Sequence, residues 1–132
     1  MRAVDTNILL RYFRDDDPRQ SPIALRVMST GKIYCAKTVL LEFEMVMRYT
    51  FEHSKEEIGR CLAMMLNLAN VTLEDEQQVA DSFRHYQRGL DFADALHLVA
   101  STNASEFITF DDQKFARRAQ RLGLKPPCIV PA

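Results

Sequence analysis

Four acidic residues stand where their neighbours argue against a charge. Asp5 follows the short run Arg2–Val4 and precedes "TNILLRYF". Glu42 lies in "TVLLEFEMVMRY", where nearly every neighbour is apolar, and Asp94 lies in the equally apolar "DFADALHL". Asp111 comes directly after "FITF". Taken singly, Asp5 and Asp111 are also good helix caps. Taken together, buried carboxylates raise one another's pKa, and a hard divalent cation removes that cost. Mg²⁺ or Mn²⁺ prefers oxygen ligands of this kind, and an all-carboxylate site of that type suits phosphoryl chemistry. No His or Cys pair has zinc-ligand spacing, and no glycine-rich loop is present to cradle a phosphate.

Other polar residues fit structural roles better. Asp91 precedes Asp94 by three residues and reads as the cap of that helix. Glu44 lies about 200° round a helix from Glu42, so the two cannot share a pocket: one belongs at the site, the other on solvent. Asp15, Asp16 and Asp17 form a charged loop before Pro18. His97 has no patterned partner and reads as a packed or hydrogen-bonded side chain.

The elements that must position these acids follow from periodicity and punctuation. A strand at Arg2–Val4 leads into a short helix from Thr6 to Phe13, and a second helix ends near Thr30. "KIYCA" reads as a strand, with Thr38 capping a long helix through Tyr49. "SKEE" at 54–57 is a capping-box pattern, and Ile58, Cys61, Leu62, Met65 and Leu66 follow on the helical period. "NVTLE" is a weaker strand. "DEQQVADSFRHYQRG" predicts a helix stopped by Gly89, and "LDFADALHLVASTNA" a buried one. "EFITF" is the clearest strand, "DDQKFARRAQRLG" a helix matched to its dipole, and "PPCIV" a last short strand. Strands separated by helices imply βαβ units, and so an α/β fold with a mostly parallel sheet covered on both faces. In such sheets ligands bind beyond the carboxyl ends of the strands, where Asp5 and Asp111 stand.

Composition sets the frame. With 132 residues, 47% apolar and 27% charged, one soluble domain over 1–132 is expected. The net charge of −1 gives no support for a nucleic-acid partner, which only a local basic surface could recruit. Arg11, Arg14, Arg48, Arg117, Arg118 and Arg121 are the candidates, with solubility and dipole complementarity as the competing account. Three scattered cysteines, no membrane-spanning run and no signal peptide predict a cytoplasmic protein without a membrane partner.

At this point "VDTNILLRY", "LLEF", "GLDFADALHLVA" and "FITFDDQKFAR" resemble, in order and spacing, the four signatures of a PIN domain of the VapC ribonuclease-toxin type. The resemblance covers essentially the whole chain. It implies a three-layer α/β/α sandwich with a central, mostly parallel sheet. It also implies a toxin of a VapBC-type toxin–antitoxin pair, an endoribonuclease that hydrolyses RNA phosphodiesters by metal-activated water. On that resemblance Asp5, Glu42, Asp94 and Asp111 bind Mg²⁺ or Mn²⁺, with Asn7 and Thr109 as polar supports. Asp112 is an alternative to Asp111, which is preferred because it directly follows Thr-Phe. The partners implied are RNA, a homodimer mate and a small antitoxin. Phe43, Met45, Met47, Tyr49 and Phe51 surround their helix rather than forming one stripe. Part of that surface, with Met64 and Met65, is expected to meet a dimer mate or an antitoxin helix. Two other classes remain open: a receiver- or phosphatase-like Mg²⁺ domain, and a non-catalytic binding module.

Overall fold

The computed structural model describes residues 1–132, which divide into two compact units, Met1–Glu76 and Gln77–Ala132. In the first unit β1 (Arg2–Ala3), β2 (Ile33–Cys35) and β3 (Val71–Leu73) form a parallel sheet in the order β1-β2-β3. Two helices fill each crossover: α1 (Thr6–Arg14) and α2 (Gln20–Ser29), then α3 (Lys37–Tyr49) and α4 (Lys55–Asn67). Parallel pairing demands such long connections, and the register runs Arg2 to Ile33 and Ile33 to Val71. Leu9, Ile33, Phe43 and Ile58 are fully buried here, each contributing roughly 1.5–3 kcal/mol of transfer free energy. The Phe13 and Phe43 rings meet at 5.4 Å and bind α1 to α3.

Helix boundaries show which local signals prevailed. The capping box at Ser54 is complete: Glu57 N–H donates to Ser54 Oγ at 3.1 Å, and Ser54 N–H donates to Glu57 Oε1 at 3.0 Å. The cap predicted at Thr38 is not there. Ala36 occupies the cap position, two residues earlier, and the acceptor comes from beyond β3, where Glu74 Oε1 takes the Lys37 N–H at 2.9 Å. Lys37 Nζ also pairs with Asp75 at 2.7 Å, so both groups of this residue tie α3 to the end of β3. The "RDDDPRQ" loop is more ordered than a solvated charge run. Asp15 ends α1 in the left-handed region (φ 48°), Asp16 pairs with Arg14 at 2.7 Å, and Asp17 accepts from Arg19 N–H and Gln20 N–H.

The second unit holds α5 (Glu76–Gln87, whose first residue closes the first unit), α6 (Phe92–Val99), β4 (Phe107–Ile108), α7 (Arg117–Arg121) and β5 (Cys128–Ile129). β4 pairs with β5 in parallel, Phe107 opposite Cys128 and Ile108 opposite Ile129. Leu90, Ala95, Leu98, Phe115, Ala119 and Cys128 form the core. Helix α6 is shorter than its apolar run suggests. After Val99 the segment "STNAS" offers side chains that compete with the backbone, and Ser101 Oγ donates to His97 O at 2.7 Å. The last helix opens with a π-helical turn, Asp112–Ala116, in which Ala116 N–H reaches back five residues to Asp111 O at 3.0 Å.

The α/β class with parallel strands is as expected. The strand pairing is finer-grained than one continuous sheet: β1 bonds to β2 alone, and β4 to β5 alone. Each strand is two or three residues long, so each ladder has only a few bonds.

Candidate active site

The first unit carries two of the four acids. Asp5 is exposed at the junction of β1 and α1, in extended conformation (φ −87°, ψ 165°), and its Oδ1 accepts the Thr6 N–H at 2.7 Å. It is therefore a helix cap, and the second carboxylate oxygen is left for another partner. Glu42 is exposed on α3. It lines a groove of about 410 Å³ with Thr38, Leu41, Met45, Val46 and Tyr49. Asn7 is exposed two residues after Asp5, and its Nδ2 lies 3.5 Å from Gln20 Oε1, the atom that also receives Arg11 Nε at 2.8 Å.

Glu44 corrects the expectation that the acid of the pair not at the site faces solvent. Its exposure is 0%, and Arg48, one turn on, brackets it with Nε at 3.0 Å from Oε2 and Nη2 at 3.1 Å from Oε1. The 200° separation holds, but the inward acid is Glu44, ion-paired with Arg48, and Glu42 is the one that meets solvent.

The second unit carries the other two. Asp94 lies half-buried in the first turn of α6, behind the cap Asp91, whose Oδ1 accepts from Ala93 N–H and Asp94 N–H. Burial raises the pKa of the Cys128 thiol on β5, and the Asp94 charge adds to that shift, so the carboxylate acts on this strand. Asp111 is exposed just beyond β4. Its N–H donates to Thr109 Oγ1 at 3.0 Å, and its Oδ1 accepts Lys114 N–H at 3.0 Å, which brings the predicted support and acid together. Asp112 is held by Arg117, at 3.0 Å from Nη2 and 3.1 Å from Nε.

Neither unit by itself gathers three or more ligand-type side chains into a metal-holding group. The donor chemistry nonetheless suits a hard cation: all four side chains are carboxylates, and Asp5 and Asp111 each commit only one oxygen to a backbone N–H.

The candidate RNA-steering arginines are mostly engaged internally. Arg11 and Arg14 reach Asp16, and Arg14 also contacts His53 and lies 3.6 Å from the centre of the Phe51 ring. Arg48 covers Tyr49 at 4.4 Å besides holding Glu44. Arg118 donates to Gly89 O at 2.8 Å, and Arg121 is exposed. Two participants escaped the sequence reading. Glu74 acts across 37 residues, which no local pattern reveals. Phe110, in the "TFD" segment itself, is 88% exposed.

Residues 2–121 match the sequence model of the PIN domain, a span that contains all four acids. The chain belongs to the PIN domain family. PIN domains are generally nucleases that act on nucleic acid, and PIN nucleases generally depend on a divalent metal. No curated protein matches the chain. No helix of this PIN domain is long and apolar enough to cross a membrane.

Proposed function

We propose that this PIN domain, one domain over 1–132, is a Mg²⁺- or Mn²⁺-dependent endoribonuclease, the toxin of a VapBC-type toxin–antitoxin pair. The observation that carries the reading is the family match over residues 2–121, with carboxylates at the four motif positions. Asp5, Glu42, Asp94 and Asp111 would hold the ion. When bound, such an ion polarises the phosphate and makes a coordinated water more acidic. The chain's own residues prepare for it. Thr109 fixes the backbone of Asp111, and the Thr6 and Lys114 amides each orient one carboxylate. The Arg117 pair that occupies Asp112 supports Asp111 as the fourth acid. Asn7 is proposed as a polar support beside Asp5.

Partner surfaces follow from what α3 and α4 leave uncovered. Phe43, Met47 and Met65 are buried, whereas Met45, Tyr49 and Met64 are exposed. We assign the groove along Met45 and Tyr49 to a dimer mate or to the antitoxin, since methionines suit adaptable contacts. The free thiols Cys35, Cys61 and Cys128 support a cytoplasmic setting.

A second reading, a non-catalytic module, draws on the capping bonds of Asp5 and Asp111. Asp94→Asn separates the two. In the nuclease it abolishes cleavage of total RNA in Mg²⁺ and reduces the Mg²⁺-induced rise in melting temperature, because only binding to the folded state raises it. Equal metal stabilisation in both proteins, with no cleavage by either, would sink the nuclease reading.

A further inference from the structure

Phe110 is the most exposed large apolar side chain in the protein, at 88%, and nothing in the fold of its unit uses its ring. Its backbone is nevertheless well held. On one side Thr109 N–H donates to Ile129 O at 3.0 Å, continuing the β4–β5 ladder. On the other, Asp111 N–H closes onto Thr109 Oγ1 at 3.0 Å and the Asp111 carboxylate caps the following turn. The ring is thus presented on an ordered segment, so little ordering entropy remains to oppose a contact.

Its neighbours define a face. Ile108 lies two residues earlier, at the end of β4, and is 55% exposed. Ile129, its register partner on β5, is 37% exposed. Basic side chains follow over the next three turns: Lys114 and Arg121 are exposed, as is Arg117, which pairs with Asp112. An exposed aromatic ring on an apolar strip, one residue from a candidate catalytic carboxylate and followed by cations, matches a single-stranded nucleic acid. Each unpaired base offers a π-face and each linkage a negative charge.

We propose that Phe110 is a stacking platform for an unpaired base of single-stranded RNA, seating the strand beside Asp111. This rests on the ribonuclease reading for its substrate. Because every base has a π-face, Phe110 contributes affinity for single strands with little sequence preference.

The protein contains no tryptophan, so Phe110→Trp introduces a single fluorescent reporter at the platform. With EDTA present to prevent cleavage, a 12-nucleotide oligouridylate should quench that indole, and a duplex RNA of equal length should not. Phe110→Ala should weaken oligouridylate binding to the native chain by about 5- to 150-fold, the cost of losing one stacked base. Duplex binding should stay within twofold. The exposed ring gives no reason for either variant to misfold, which circular dichroism checks. Unquenched indole emission at saturating oligouridylate, or Phe110→Ala binding like the wild type, overturns the platform even if the wild type cleaves RNA. Quenching in a protein that cleaves no RNA in Mg²⁺ would instead refute the nuclease reading and uphold the platform. If Phe110→Ala turns a dimer into a monomer in sedimentation without loss of oligouridylate affinity, the face is a contact between copies and the proposal fails.

Discussion

Two glutamates two residues apart on α3 should separate stability from chemistry. Glu44→Gln preserves volume and leaves no cavity, so its cost is electrostatic. Removing one partner of a fully buried ion pair costs about 3–5 kcal/mol, chiefly because the other charge is left uncompensated. Here the arginine is only partly enclosed: Glu44 is 1% exposed at its side chain and Arg48 33%. The partly exposed guanidinium would recover part of its hydration, which lowers the expected loss to about 2–3 kcal/mol. For a chain of this size that corresponds to a melting temperature lower by roughly 10 °C. Urea denaturation followed by far-ultraviolet circular dichroism measures the loss, with an unchanged m-value showing that the compactness of both states is retained. Glu42→Gln, at an exposed position, should stay within about 0.5 kcal/mol of wild type while abolishing RNA cleavage. Glu44→Gln should cleave normally at a temperature where it is folded. A double-mutant cycle with Arg48→Gln should show a coupling of at least about 1 kcal/mol. Loss of activity without loss of stability in Glu44→Gln, or additive effects in the cycle, would refute this division of labour.

Glu74→Ala should destabilise the protein by about 1 kcal/mol, since it deprives the α3 terminus of its acceptor for Lys37 N–H, while Glu74→Gln keeps a carbonyl there and should lose less than half as much. Equal losses in chemical denaturation would mean that the charge matters, not the cap. The Glu57 carboxyl is held down to about 2 by the Ser54 N–H, with His53 and the Ser54 hydroxyl contributing. Its folded pKa lies below the ordinary value of 4.5, so its contribution is fully present above that pH and is lost as pH falls from there towards about 2. The stability difference between wild type and Glu57→Gln should therefore shrink across that window. A difference that stays constant from pH 6 to pH 2 would contradict the assignment.

How far the fold could be read from the chain depended on the range of each interaction. Ser54 with Glu57, and Gly89 and Gly123 with φ of 110° and 68°, act within one turn, and all of them end or begin helices where the sequence suggests. The start of α3 departs from its local signal because the acceptor that holds it is 37 residues away. Periodicity separated Glu42 from Glu44 but carried no sign, because burying an acid is allowed once Arg48 is counted as its partner. For the candidate site, the acids were visible as interruptions of apolar runs, and the Thr109–Asp111 bond lies within one motif. The internal engagement of Arg14, Arg48 and Arg118 was not visible, since Phe51, His53 and Gly89 are brought to them only by tertiary packing.

The cap supplied by Glu74 also bears on how the nascent chain matures. Helix α3, which carries Glu42, emerges from the ribosome well before its acceptor does, and β3 must pair with β2 to bring that acceptor into place. At about 5–20 residues per second, the 37 residues between donor and acceptor take roughly 2–7 s to synthesise. Over that interval the first turn of α3 lacks the side chain that will finally hold it. Parallel pairing over such separations is intrinsically slow, so completion of β3 is the step that ends the wait. The groove beside Glu42 is then among the later surfaces of the first unit to acquire its final form. For a protein whose proposed activity destroys RNA, β3 must be synthesised and paired before that carboxylate stands on a finished helix.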